Sequence, residues 1–158
     1  MPDAAPNPGR DLVMSDTLPY EIWMMHQTVE LLALGIFAPG PMQNALIESF
    51  AVHARTLIEF FKLKPNRQPD DADACDFTSP AYKRFSAGKV PQDIVDKINK
   101  QIAHITESRT VDPKEKLNGN GTDIVELRLL LDAEIGEFKN HITPTYQAIW
   151  NAGNLRGI

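Results

Sequence analysis

Apolar side chains recur every three or four residues along four long stretches of this 158-residue chain. That spacing is the periodicity of a helix that buries one face, and no stretch shows the alternation of a half-buried strand. The sequence therefore predicts an all-α fold, an antiparallel bundle of about four long helices with short extra helices. The predicted long helices cover about 18–37, 41–63, 91–107 and 122–142, and the short ones cover about 80–86 and 144–152.

Start and stop signals place the ends of these helices. Thr17 is a capping residue, and Pro19 suits the first helical turn that follows it. Asp123 and Glu126 stand at capping-box spacing before the fourth long stretch, and Pro144 breaks the helix that they begin. The first long helix carries apolar residues on more than one side. We therefore expect it to lie at the centre of the bundle or against a second subunit, which favours a homodimer.

Composition is that of a globular protein, with 42% hydrophobic and 23% charged residues, and we expect one domain over 15–158. The proline-rich start favours a disordered tail over 1–14. No apolar run approaches the roughly 18 residues of a membrane helix. Cys75 is the single cysteine, which excludes an internal disulfide and suits a reducing cytoplasm. The net charge of −5 gives no general attraction to nucleic acid or to anionic membranes.

The four histidines, His26, His53, His104 and His141, fall one on each predicted long helix. Helical bundles can gather metal ligands in this way, so a metal-binding bundle is one interpretation. Neither His-x-x-x-His nor Glu-x-x-His occurs, however, and we assign no metal ligand and no cofactor. His53 lies within an apolar seam, which favours a core histidine that is hydrogen-bonded to a polar group across the bundle.

Four aspartates crowd the segment after the second long helix: Asp70, Asp71, Asp73 and Asp76. A calcium loop that began at Asp71 would need a glycine at its sixth position and a glutamate at its twelfth. The sequence has neither there, which favours a solvated loop.

His104 is expected to point away from the apolar stripe of the third helix. Its neighbours on that flank are Lys97, Lys100 and Gln101, one or two turns earlier. Two interpretations are open. The flank is a solvated helix face, or it is a patch for phosphate beside a histidine that exchanges protons near neutral pH.

The segments 44–61 (NALIESFAVHARTLIEFF) and 97–106 (KINKQIAHIT) resemble small bacterial helical proteins related to the HEPN superfamily. The resemblance implies a helical bundle, often dimeric, and in many members a metal-independent ribonuclease. The family motif is an arginine, a polar residue, three variable residues and a histidine. His104 matches the histidine, whereas Asn99 stands in place of the arginine and Lys100 in the polar position.

Two main hypotheses follow, besides the metal-binding bundle. In the first, the chain is RNA-directed, with His104 and Asn99 as catalytic residues and Lys97, Lys100 and Arg55 as binding residues. The resemblance implies that the histidine assists proton transfer at the ribose 2′-hydroxyl. In the second, the chain is a non-enzymatic interaction module with a protein partner. Asparagine carries no charge to stabilise a developing phosphorane, and this departure from the motif favours the second hypothesis.

Overall fold

The computed structural model describes residues 7–62, 68, 70–83, 90–102, 117 and 122–154. Within these ranges the regular elements are helices, and no β-strand forms. The prediction of an all-α fold is therefore confirmed. Helices α2, α3 and α5 are the long elements. Pro19 lies in the first turn of α2 as predicted, but the predicted capping role of Thr17 is wrong, because Thr17 is itself helical and its side chain makes no capping hydrogen bond. The six α-helices of the described ranges are α1 (Pro8–Leu12), α2 (Leu18–Ala33), α3 (Pro41–Phe61), α4 (Gln92–Ile102), α5 (Thr122–His141) and α6 (Pro144–Asn154).

The chain is helical much earlier than the sequence indicated. Asn7 caps α1 by accepting hydrogen bonds from two backbone N–H groups, and Pro8 occupies the first turn, where its missing N–H costs nothing. A π-helical turn, Val13–Thr17, then joins α1 to α2. Residues 8–14, predicted as part of a disordered tail, are thus helical, and Met14 is fully buried. Residues 1–6 lie outside the described ranges.

Helices α2 and α3 form the largest helix–helix contact of the described fold. Glu21, near the start of α2, meets His53 in the second half of α3, so the two helices run antiparallel. Helix α2 ends at Ala33, earlier than the predicted residue 37. Gly35 adopts the left-handed conformation, with φ of 61°, and its N–H donates to the carbonyl of Leu32, which closes the helix.

The second half of the described chain follows the predicted boundaries closely. Helix α4 begins one residue after Pro91, and the part of the predicted helix that runs from 103 to 107 lies outside the described ranges. Helix α5 begins at Thr122 and stops just before the Thr143–Pro144 break, as predicted. Helix α6 runs past the predicted stop to Asn154 and packs against the π-helical turn near the start of the chain.

The loop before α4 is more ordered than a solvated loop. Asp73 is buried and caps a 3-10 turn, Ala74–Asp76, through a capping box with Asp76. Asp76 also pairs with Arg10 of α1 at 3.0 Å. The short helix predicted over 80–86 does not form over 80–83, where the chain makes a turn and then buries Tyr82.

Aromatic rings fill the core between α3, α5, α6 and the loop that follows α3. The rings meet mostly edge to face, at centroid distances of 5.0–6.3 Å. Edge-to-face contacts are the geometry that aromatic pairs prefer, and they stabilise this core. The contributing residues are Phe60, Phe61, Phe77, Tyr82, Phe138, Tyr146 and Trp150.

Candidate functional site

The outward face of α2 carries a row of large apolar side chains. Tyr20, Trp23 and Leu31 of α2 are 42%, 39% and 37% exposed, and Leu34, the residue that caps the end of α2, is 64% exposed. With Gln27 between them, they follow steps of three, four, four and three residues. At about 100° per residue, the row is about 80° wide on the helix surface. We call these five residues the α2 stripe.

The opposite face of α2 is the one that packs into the core. The helix is therefore apolar on two opposite sides, whereas a peripheral helix normally has one apolar side and one polar side. Apolar surface on a second side was predicted from the sequence, and the regular spacing that begins at Tyr20 is the signal that defines it. The buried apolar residues of the core face are Leu18, Ile22, Met25, Val29 and Leu32.

One end of the α2 stripe is held by a buried polar pair. His53 Nδ1 lies 2.7 Å from Glu21 Oε2, and the His53 side chain is almost fully buried. The Tyr20 ring packs edge-on against the His53 ring at 5.7 Å, and the Trp23 ring lies 6.3 Å from that of Tyr20. The prediction of a core histidine that is hydrogen-bonded across the bundle is confirmed.

A second histidine connects α2 to α5. His26 Nε2 lies 2.6 Å from Asp132 Oδ1, and the other oxygen of that carboxylate lies 3.3 Å from Arg128 Nε. These side chains are about one-third exposed. Val125 and Leu129 are exposed on the outer surface of α5 close by in sequence. The His26–Asp132 contact therefore joins the outward half of α2 to α5.

A further buried polar pair joins the loop after α3 to α5. The Tyr82 hydroxyl donates a hydrogen bond to the carboxylate of Glu134, and both side chains are buried. Burial, followed by the hydrogen bond to Glu134, raises the pKa of Tyr82 above its ordinary value. This pair was not predicted from the sequence. The position of Glu134 between the core residues Leu131 and Phe138 of α5 indicates that its carboxylate is buried.

The residues predicted to bind RNA lie on α3 and α4. Asn99 and Lys100 are exposed on α4. Lys97 Nζ lies 2.7 Å from Asp123 Oδ2 of α5, and this hydrogen bond raises the pKa of Lys97. Arg55 pairs with Glu59 at 2.9 Å on the surface of α3, as predicted. Lys97 and Arg55 thus each have an acidic partner, and His104 lies outside the described residues.

A metal site was the third interpretation of the sequence. His26 and His53 are each paired with one carboxylate, and His141 Nδ1 lies 2.9 Å from the carbonyl oxygen of Glu137. Over the ranges that the structure describes, no three histidine, cysteine or acidic side chains are grouped so that they could hold a metal ion. Over the same ranges, no helix has both the length and the apolarity that crossing a bilayer requires.

A small polar recess of about 260 Å³ lies between α1 and residues 70–72. Asn7 and Arg10 line it, but the Asn7 side chain is used to cap α1 and Arg10 is used to bind Asp76. These polar groups thus have structural roles, and the α2 stripe is the more distinctive surface.

Comparisons with protein-family models, with curated proteins and with solved structures find no match to this chain. The resemblance of residues 44–61 and 97–106 to the HEPN superfamily therefore stays a prediction.

Proposed function

We propose that this protein is an interaction module that acts as a homodimer, with the α2 stripe as the contact surface. The observation that carries the proposal is the row of four large apolar side chains that faces away from the core. Each square ångström of apolar surface removed from water contributes roughly 25 cal/mol, so covering this row is favourable. Tyrosine and tryptophan are also the residues most enriched at protein interfaces.

The occupant that fits the stripe is a second copy of the chain. Steps of three and four residues are the spacing with which one helix packs along another, and two copies supply two matching rows. A two-fold axis lets one patch serve both partners. The net charge of −5 and the acidic partners of Lys97 and Arg55 disfavour a polyanion as the occupant.

Sedimentation equilibrium of the full chain tests the proposal, with Leu34→Glu as the disrupting variant. Leu34 lies in the stripe at 64% exposure, and Leu129 of α5 lies outside it at 63% exposure. Leu129→Glu is therefore a matched control for the added charge. We expect Leu34→Glu to weaken dimerisation by roughly tenfold or more and Leu129→Glu to leave it nearly unchanged. A wild-type protein that stays monomeric throughout the accessible concentrations overturns the proposal.

The RNA-directed function is the second candidate, and the exposure of Asn99 and Lys100 on α4 favours it. This candidate includes the HEPN-like bundle arrangement and a cytoplasmic location. It expects the purified protein to cleave RNA without added metal and His104→Ala to abolish the cleavage. Wild-type protein that leaves a broad set of RNAs intact, at concentrations where it is folded, contradicts the enzymatic form.

A further inference from the structure

We infer that two α2 stripes pair antiparallel about a two-fold axis that passes at Gln27. The inference rests on the proposed homodimer and adds its geometry. Trp23 and Leu31 lie four residues before and after Gln27, and Tyr20 and Leu34 lie seven before and after it. The stripe is therefore symmetric about its centre. Reversing its direction about Gln27 places each of the four apolar members on the position of another and leaves Gln27 in place.

Side-chain size favours the antiparallel direction. In that arrangement Trp23 of one copy faces Leu31 of the other, and Tyr20 faces Leu34. Each ring then meets a leucine, and the bulk is spread evenly along the contact. A parallel arrangement would place Trp23 against Trp23 at one level and Leu31 against Leu31 at another. The helices would then be forced apart at one level and leave a gap at the next, which close-packed interfaces avoid.

Charge does not oppose this direction. Glu30 is exposed beside the stripe, where its carboxylate accepts a hydrogen bond from Gln27 Nε2 at 3.1 Å. In the antiparallel pair, Glu30 lies level with Met24 of the other copy. The two carboxylates are then offset by about 9 Å along the helix axis, close to one Debye length at physiological salt.

Gln27 is the only polar member of the stripe, and its central position has a physical consequence. A side-chain amide both donates and accepts hydrogen bonds. On the axis, two Gln27 amides can therefore satisfy each other. Any shift of register would place each amide against an apolar side chain, so that it keeps only the hydrogen bond that its Nε2 donates to Glu30. A single polar residue in a helix–helix seam thus selects one register at some cost in stability.

Cysteine cross-linking distinguishes the two directions. In a Cys75→Ser background of the full chain, we compare Gln27→Cys alone, Leu34→Cys alone, and a mixture of Tyr20→Cys protein with Leu34→Cys protein. The antiparallel pair brings Gln27 next to its own copy but separates the two Leu34 positions by about 21 Å. A disulfide needs Cα atoms within roughly 7 Å.

We expect Gln27→Cys to cross-link with itself on oxidation, Leu34→Cys alone to remain uncross-linked, and the mixture to give the mixed disulfide dimer. Self-cross-linking of Leu34→Cys without a mixed product indicates a parallel pair and overturns the inference. A wild-type dimer whose Gln27→Cys variant dimerises but does not cross-link overturns it as well, while the homodimer stands. A monomeric wild-type protein instead refutes the proposed function itself. Circular dichroism of each variant confirms that it remains helical.

Discussion

His53 of α3 and Glu21 of α2 form a hydrogen-bonded pair at 2.7 Å, enclosed between the two helices. The pair lies directly beneath the end of the α2 stripe, because the Tyr20 ring rests edge-on against the His53 ring. A buried histidine without a partner would lose solvation and gain nothing in return. The pair therefore joins α2 to α3 and sets the position of Tyr20.

A double-mutant cycle on this pair is expected to show strong coupling. His53→Ala, Glu21→Ala and the double variant are compared by urea unfolding. Removing either partner leaves the other buried without its hydrogen bond, which costs about 1–3 kcal/mol. The exposed pair Arg55–Glu59, 2.9 Å apart with both residues on α3, is the control.

Exposed pairs spaced four residues apart on a helix contribute only about 0.3–0.5 kcal/mol. Equal coupling energies for His53–Glu21 and Arg55–Glu59 would show that the first pair is as solvated as the second. That result would contradict its role in joining the two helices.

Tyr82→Phe is expected to destabilise the protein by about 1–3 kcal/mol, because buried Glu134 loses the donor hydroxyl of Tyr82. Tyr146→Phe is the control. The Tyr146 ring also packs in the aromatic core, 5.0 Å from that of Phe77, and within the described ranges its hydroxyl makes no hydrogen bond. Thermal or urea unfolding at neutral pH gives both free energies. Equal losses would mean that the Tyr82 hydroxyl contributes nothing beyond its ring.

The same variant has a pH signature. Burial and Glu134 raise the pKa of Tyr82 in the folded protein above its ordinary value of 10.0. Below pH 10 both states keep the phenol protonated, and this contribution to stability is fully present. Above pH 10 the unfolded tyrosine loses its proton and the folded one keeps it. Stability then falls by up to about 1.4 kcal/mol per pH unit, and Tyr82→Phe should remove this part of the slope.

Local signals in the sequence predicted α5 and the break before α6 well. Asp123 lies in the first turn of α5, where an acidic side chain is favourable, and Pro144 begins α6, so both signals act locally. For His53, the sequence predicted only that the hydrogen-bond partner is a polar group, not which residue supplies it. An apolar seam requires that a buried imidazole be hydrogen-bonded, but the seam does not say to which residue.

The features that the sequence did not predict depend on distant contacts. The residues around Met14 were predicted as a disordered tail because the start of the chain is rich in proline. They are helical in the structure, where α6 packs on the π-helical turn. Glu134 and Tyr82 are 52 residues apart, so neither one indicates the other. Asp73 caps the 3-10 turn that follows it. An aspartate in a loop can either cap a turn or stay exposed to solvent, and the sequence alone does not distinguish the two. The sequence showed that these α2 positions are apolar, but only the folded structure shows that they face away from the core.

Gly153→Ala is expected to be strongly destabilising. Gly153 lies where α6 crosses the π-helical turn, and a Cβ atom there would lie 2.8 Å from the Cα and carbonyl carbon of Ser15. Backbone cannot move aside as the end of a flexible side chain can, so α6 must shift away from the start of the chain. Such overpacking typically costs about 1–3 kcal/mol of stability.

Gly136→Ala in α5 is the control for that variant. Gly136 is exposed, and a Cβ atom there would meet nothing within 4 Å. Alanine is favoured over glycine inside a helix by about 1 kcal/mol, so this variant should be stabilised. Opposite signs for the two substitutions in thermal unfolding would support the close approach of α6. Two stabilised variants would contradict it.

Gln27→Leu tests whether the polar centre of the α2 stripe selects a register. If two copies meet there, leucine removes an amide that must be desolvated and completes an apolar row. We expect the dimer to become tighter by roughly tenfold, as when a polar residue in a helix–helix seam is made apolar. The same change should loosen the register. A Trp23→Cys protein should therefore form disulfides with cysteines placed at fewer positions along α2 of a second copy in the parent than in the Gln27→Leu background. Gln147→Leu, on the half-exposed surface of α6, is the control for added hydrophobicity. Weaker association of Gln27→Leu would show instead that the amide contributes binding energy. Equal tightening by Gln147→Leu would show that the effect comes from added hydrophobic surface in general and not from the α2 stripe.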